Sequence, residues 1–286
     1  MKYFPLFLLI AIFSSCCNEE SLVLPNPLRI EKDEDIEKYC ELLKETEVFD
    51  GDILINPSSS GDLSYSSVNC LSEIKEITGI LEILGTDFED YDYLSSLESC
   101  GAIFIEGNDI VDTIFFPMLR SVNGTFNIYN HKNLLSVVTP KIESIGSHVI
   151  FEGNVVLNSW HGSEAMVTMP SLSIVDSENF EALVDFPNIT LFENDVYILF
   201  SNVNNQNFCH NQFSVMGELK IISEGKDPDF SFLENLITAG SVVVAGNIDL
   251  DDLCSLQGYA TSHNNILCIL WNEGFYYAND ILDNCE

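Results

Sequence analysis

One phrase recurs along this chain. An apolar turn, usually led by proline, reads FPMLRSV at 116, TPKIESI at 139, MPSLSIV at 169 and FPNITLF at 186, with YLSSLES at 93 and FLENLIT at 232 as variants without proline. All but the third lead within a few residues to an alternating stretch: GAIFIEGN from 101, GTFNIYN from 124, SHVIFEGN from 147, VYILFSN from 196 and SVVVAGN from 241. GDILIN at 51, GILEIL at 79 and GELKII at 217 fit the same mould. The glycines at 79, 101 and 124 are 22 and 23 residues apart, those at 217 and 240 are 23 apart, and Gly107 and Gly153 differ by 46. A unit of this size, with one strand and one return turn, cannot bury its apolar face alone and does so by stacking on its neighbours. The repeat predicts a mainly β solenoid over 39–250.

Strand alternation assigns the faces. Ile103 and Ile105 point to the core, followed one unit on by Phe126 and Ile128 and then by Val149 and Phe151, while the turns add Leu119, Val122, Ile142 and Ile145. Asn108, Asn154, Asn202 and Asn247 follow strands at places that suit a corner, where stacked asparagines bond the backbone of an adjacent coil. Phe104, Glu106, Asn127, Tyr129, His148 and Ile150 then face outward, with Leu54, Ile198 and Val243 in matching columns. Such a face is unusually apolar for solvent, so either a partner meets it or a loop or the N-terminal segment covers it. The prolines at 140 and 170 are 30 apart, so LNSWHGSEAM reads as an insertion with Trp160 and His161 near its tip, unless the Trp tucks back onto the coils.

The turn of the form FPxLxxI, then glycine and a short alternating strand, resembles the receptor L-domain repeat. That resemblance implies a leucine-rich-like right-handed β-helix with units of roughly 22–23 residues, and binding or adhesion at a cell surface with no catalytic residues. The tail, DLDDLCSLQ followed by FYYANDILDNCE, is similar to the C-terminal cap of repeat-bearing surface lipoproteins of the Bacteroidota. It implies a cap over 251–286 and a Cys254–Cys285 pair.

The beginning of the chain agrees with that address. MKYFPLFLLIAIFSSCC carries one lysine and an apolar run from Tyr3 to Phe13, too short to span a bilayer and suited to a signal peptide over 1–15. Ser14 and Ser15 before Cys16 resemble a bacterial lipobox, which makes Cys16 the lipid attachment site and 16–38, with Pro25 and Pro27, a tether. Cys17 is the alternative anchor, and a eukaryotic secretory signal the alternative leader. The acidic NEE that follows resembles the export signal to the outer face of the cell. The expected location is the outer membrane, lipid-anchored and surface-exposed, or else secreted.

Charge narrows the partners. With 45 acids against 11 bases the net charge is -34, which repels phosphate backbones and excludes nucleic acid. Only Arg29 and Arg120 could grip an anionic polysaccharide through a guanidinium. The acids are a solubilising coat or hold divalent cations at KDEDIEK and DLDDL, neither of which has the spacing of a calcium loop. Eight cysteines besides Cys16 allow disulfides, with Cys40, Cys70, Cys254 and Cys285 as candidates; no C-x-x-C pair supports zinc. No serine-hydrolase, zinc-protease or phosphate-loop signature is present, so no catalytic residue, metal or cofactor is assigned. The reading is a non-catalytic module for an extracellular protein or glycan, of open oligomeric state. A structural envelope protein and a polysaccharide-active β-helix enzyme are the rivals.

Overall fold

Parallel hydrogen bonding between successive coils organises the molecule. The computed structural model describes residues 23–57, 63–177, 179–180, 182–184, 186–200, 212–223, 230–246, 250–270 and 274–285. Cys16, Cys17, Asn202, Cys209 and Asn247 lie outside them.

Among the described residues seventeen strands form one sheet and four a second. The long strands run in chain order from Leu28–Ile30 through Ile53–Ile55, Glu76–Leu84, Ser99–Glu106, Phe126–Tyr129, Val149–Glu152, Leu172–Val175, Val196–Phe200, Phe213–Ser223 and Leu236–Gly246 to Ile266–Leu270. All of these pair in parallel, and antiparallel Gly274–Tyr277 follows. From Leu81 to Ile266, residues in register are 22 to 24 positions apart in the chain.

The same sheet turns a corner into a ladder of short strands, among them Ser121–Val122, Ser144–Ile145, Thr168–Met169 and Leu191–Phe192. In Glu76–Leu84 and Phe213–Ser223 the two parts are continuous across register shifts. Glycine is needed there because the coils approach closely: a Cβ on Gly101 would collide with the Gly79 carbonyl. The second sheet, Thr113–Phe115, Ser136–Val138, Ser159–His161 and Ala182–Val184, is also parallel and closes the return side of the coils.

The core fills the space between these ladders. Ile103, Ile105, Phe126, Ile128, Val149 and Phe151 are buried as the alternation requires, and so are Leu119, Val122, Ile142 and Ile145 from the turns. Trp160 is fully buried, its ring 4.6 Å from that of Phe186 and 5.5 Å from that of Phe151. Its indole N–H donates to Thr139 Oγ1 at 2.9 Å.

After the long strands the chain bends through Gly107, Asn130, Gly153 and Asp176, with φ of 66°, 59°, 66° and 49°. Each is followed by a fully buried polar residue: Asn108, His131, Asn154 and Ser177. Asn154 Nδ2 donates to the Ile128 carbonyl at 2.8 Å and its Oδ1 accepts from His131 N–H at 3.1 Å. The asparagines thus tie each corner to the coil before it.

Both ends carry a bridge. Cys40–Cys70 joins the helix Cys40–Lys44 to the turn Asn69–Leu71, and Cys254–Cys285 ties the turn Leu250–Leu256 to the residue after the helix Ala278–Asn284. Gln257 also donates to the Cys285 carbonyl.

Three expectations are corrected. MPSLSIV is not a return turn, because Thr168–Met169 and Leu172–Val175 are both ladder strands and Pro170 lies between them. The equivalent of Pro140 is Pro187, 47 residues on, since each lies between a strand of the second sheet and a short ladder strand. LNSWHGSEAM is an ordinary coil, so Trp160 is a core residue and half-buried His161 ends a return strand. Ile198 faces inward, fully buried, and Tyr197 takes the outward place.

Candidate functional site

The long-strand ladder presents its other side as ordered columns. Register places Leu54, Glu82, Phe104, Asn127, Ile150, Ser173, Tyr197, Lys220 and Val243 on successive rungs of one column. Two residues further along each strand, a parallel column holds Leu84, Glu106, Tyr129, Glu152, Val175, Leu199 and Ile222. All of them except exposed Glu152 are half-buried. Rungs of a sheet are about 4.8 Å apart, so Phe104, Asn127 and Ile150 are immediate neighbours, as are Glu106, Tyr129 and Glu152.

The structure thus brings together five of the eight expected face residues: Phe104, Glu106, Asn127, Tyr129 and Ile150. His148 lies one residue before the inward Val149 at the margin of the same face, its Nδ1 2.5 Å from Ser171 Oγ. That pair gains no carboxylate, because Asp195 Oδ1 instead accepts from the Glu218 backbone N–H at 2.7 Å. Trp160 and His161 lie on the return sheet and do not join the face. Glu82 and Glu152 were missed, although the alternation that selected Phe104 also selects them.

The face is acidic along its middle. A cation stands at each end of the first column, Arg29 on the rung before Leu54 and Lys220 on the rung after Tyr197, and between them the two columns carry no Lys or Arg. The ion pairs among the described residues, Lys32–Glu34, Lys44–Glu41, Lys75–Glu47, Arg120–Glu143 and Lys132–Asp109, involve none of Glu82, Glu106 and Glu152. Glu106 accepts from neutral donors, Asn130 Nδ2 at 3.1 Å and the Tyr129 hydroxyl. The Tyr129 phenol is pushed up to about 12 by burial, by its bond to Glu106, and by the charges of Glu106, Glu82 and Glu152. Asn127 Oδ1, between Phe104 and Ile150, is buried without a hydrogen-bond partner. Lys220, farther along, sets its ammonium 5.4 Å from the centre of the Tyr197 ring.

Other reactive groups are occupied structurally. Burial raises the Cys100 thiol to about 12, which keeps it protonated and unreactive. In KDEDIEK, Asp35 accepts from the backbone of Glu31 and Lys32, and Asp33 from Ser64. The described residues contain no group of His, Cys, Asp and Glu arranged to hold a metal ion. No helix among them is long and apolar enough to cross a membrane.

Stacked parallel strands thus present one packed face and one partly apolar outer face whose side chains project from fixed backbone. The comparison with known families agrees: residues 46–161 match the model of the Receptor L domain, a ligand-binding, non-enzymatic family. The matched stretch includes the rungs from Leu54 to Ile150, and hence the centre of the face. No curated protein and no solved structure matches the chain.

Proposed function

We propose that this chain is a non-catalytic recognition module whose outward long-strand face, centred on Phe104, Asn127, Tyr129 and Ile150, binds an extracellular protein, and that the strands are wound as a right-handed β-solenoid over 39–250 with a cap over 251–286. The observation that carries the binding reading is the register, which gathers Leu54, Phe104 and Ile150 with Tyr129 onto one open surface. Leu54, Phe104 and Ile150 take alternate rungs of one column, with Leu84 and Tyr129 of the other column on the rungs between, and apolar area of that kind on a rigid frame is where partners bind. The solenoid reading is supported by partners that recur every 22 to 24 residues.

The location proposed with it is the outer surface of a cell. A signal peptide over 1–15 is removed, Cys16 is lipidated, and 16–38 serves as the tether. Mass spectrometry of the N-terminal peptide and protease shaving of intact cells, for the original and for Cys16→Ala, test this; an unmodified Cys16 refutes the anchor without touching the binding face.

For the face, Phe104→Thr with Ile150→Thr removes apolar area while leaving a β-branched residue of good strand propensity at both positions. The original and the double variant are compared on an array of extracellular proteins and glycans. The folded double variant is expected to lose the proteins that the original retains. Unchanged retention would show that the ligand binds elsewhere.

A further inference from the structure

We infer that the partner taken by this face is a cationic protein segment in which Lys or Arg side chains are interspersed with apolar ones. This rests on the face proposed above and adds the chemistry of its occupant. Two properties of the surface point the same way. Phe104, Ile150, Leu54 and Leu84 offer half-buried apolar area that water serves poorly. Glu82, Glu106 and Glu152 stand among them with no Lys or Arg in their columns from Leu54 to Tyr197 and no ion pair among the described residues. A ligand that supplied ammonium or guanidinium groups and aliphatic carbon would satisfy both.

The same ladder shows how a cation sits on it, since the Lys220 ammonium rests 5.4 Å from the Tyr197 ring centre. Phe104 and Tyr129 present aromatic rings, also beside carboxylates, where a partner's cation can settle likewise. Charge excludes other occupants: with a net charge of -34, a second copy of the chain, an acidic polysaccharide or an anionic lipid surface is repelled.

The test uses the whole mature chain and a short synthetic peptide alternating Lys with Leu and Phe. One comparison peptide has Ser in place of the apolar residues, and the other has Glu in place of Lys. Binding is read by calorimetry at about 50 mM and about 500 mM salt, where the screening length falls from above 10 Å toward a few ångströms. The Lys/Leu/Phe peptide is expected to bind about tenfold tighter than either comparison and to weaken with salt. Glu82→Gln with Glu106→Gln and Glu152→Gln, folded by circular dichroism, is expected to lose about tenfold. A control of equal charge change on exposed residues off the face, Glu45→Gln with Glu164→Gln and Glu193→Gln, should lose less than about twofold.

Equal loss in the two triple variants would reduce the binding to the field of the whole chain and overturn the inference, as would equal affinity for the Lys/Ser peptide. If Phe104→Thr with Ile150→Thr abolishes retention of natural partners while the face triple variant leaves it intact, the face stands and the cationic partner falls. If neither variant affects retention, both fall.

Discussion

Replacing Asn108 by alanine should be among the costliest single truncations at the corners, and its size follows from the bonds it breaks. Asn108 is fully buried, and its Nδ2 donates to the Phe88 carbonyl at 2.7 Å, with Thr86 Oγ1 at 3.3 Å and Tyr91 Oη at 3.4 Å farther off. Its Oδ1 accepts from the backbone N–H groups of Ile110 at 2.9 Å and Val111 at 3.2 Å. Ile110 lies at the surface and water can replace its bond, but Phe88 and Val111 are buried and their backbone groups would be left unpaired. Each stranded group costs about 1–3 kcal/mol, so about 4 kcal/mol is expected in total. That is a large part of the roughly 5–15 kcal/mol that holds a domain together. Asn154 makes two such bonds, to Ile128 and from His131, both fully buried, and its alanine variant should likewise lose about 4 kcal/mol. Urea unfolding followed by circular dichroism gives both values. A loss below about 1 kcal/mol for Asn108→Ala would mean that water fills the corner and that the asparagine is not what joins the coils.

Three other perturbations test separate parts of the fold. Burial holds the His131 imidazole below its ordinary range, so the unfolded chain takes up that proton more readily than the folded one. The His131 contribution is therefore fully present above about pH 6.5 and is lost as the pH falls through that value toward the depressed one; His131→Asn, matching its neighbours in the corner, should flatten this part of the urea midpoint against pH, and an unchanged slope would refute it. Trp160→Ala should cost about 3–5 kcal/mol in the same assay, whereas a Trp on an exposed loop tip would cost almost nothing. Removing either bridge, with 30 residues separating Cys40 from Cys70 and 31 separating Cys254 from Cys285, should cost about 3–4 kcal/mol, read as a lower midpoint in the paired Cys→Ala variants.

The strand pattern was legible because alternation and period each act locally. Ile103, Phe126 and Val149 could be placed in one ladder from spacing alone, since strand geometry fixes the face of every second residue. The errors arose where one landmark stood for another. Pro170 resembles the proline of the turns but sits between two strands, and counting from it displaced Trp160 from the core to a loop. An apolar run without polar interruptions gives no parity either: in VYILFSN, Tyr197, Ile198 and Leu199 are all compatible with either face, and only pairing with Ser173, Ile174 and Val175 settles that Ile198 goes in. A histidine at a corner looks unlike asparagine in sequence, although His131 Nδ1 accepts from the Asn108 backbone N–H at 3.0 Å as Asn154 Oδ1 accepts from that of His131.

The two sides of each long strand are under different constraints, and that difference is the strongest argument for a partner. On the inner side the volumes of Phe126, Val149 and Phe151 answer to one another, with the rings of Phe126 and Phe151 6.4 Å apart, so packing explains their identity. On the outer side no packing demand calls for an aromatic residue at 104, a tyrosine between two glutamates at 129, or an isoleucine at 150. Solubility alone would favour Thr, Lys and Glu there, as on the solvent face of an ordinary sheet. Half-buried Glu82 and Glu106 stand beside apolar side chains with no cation paired to them among the described residues. Local stability does not select such a surface. Exchanging those outer residues for Thr and Lys should therefore leave the urea midpoint of the folded chain as high as before, or higher, while removing the binding proposed for the face.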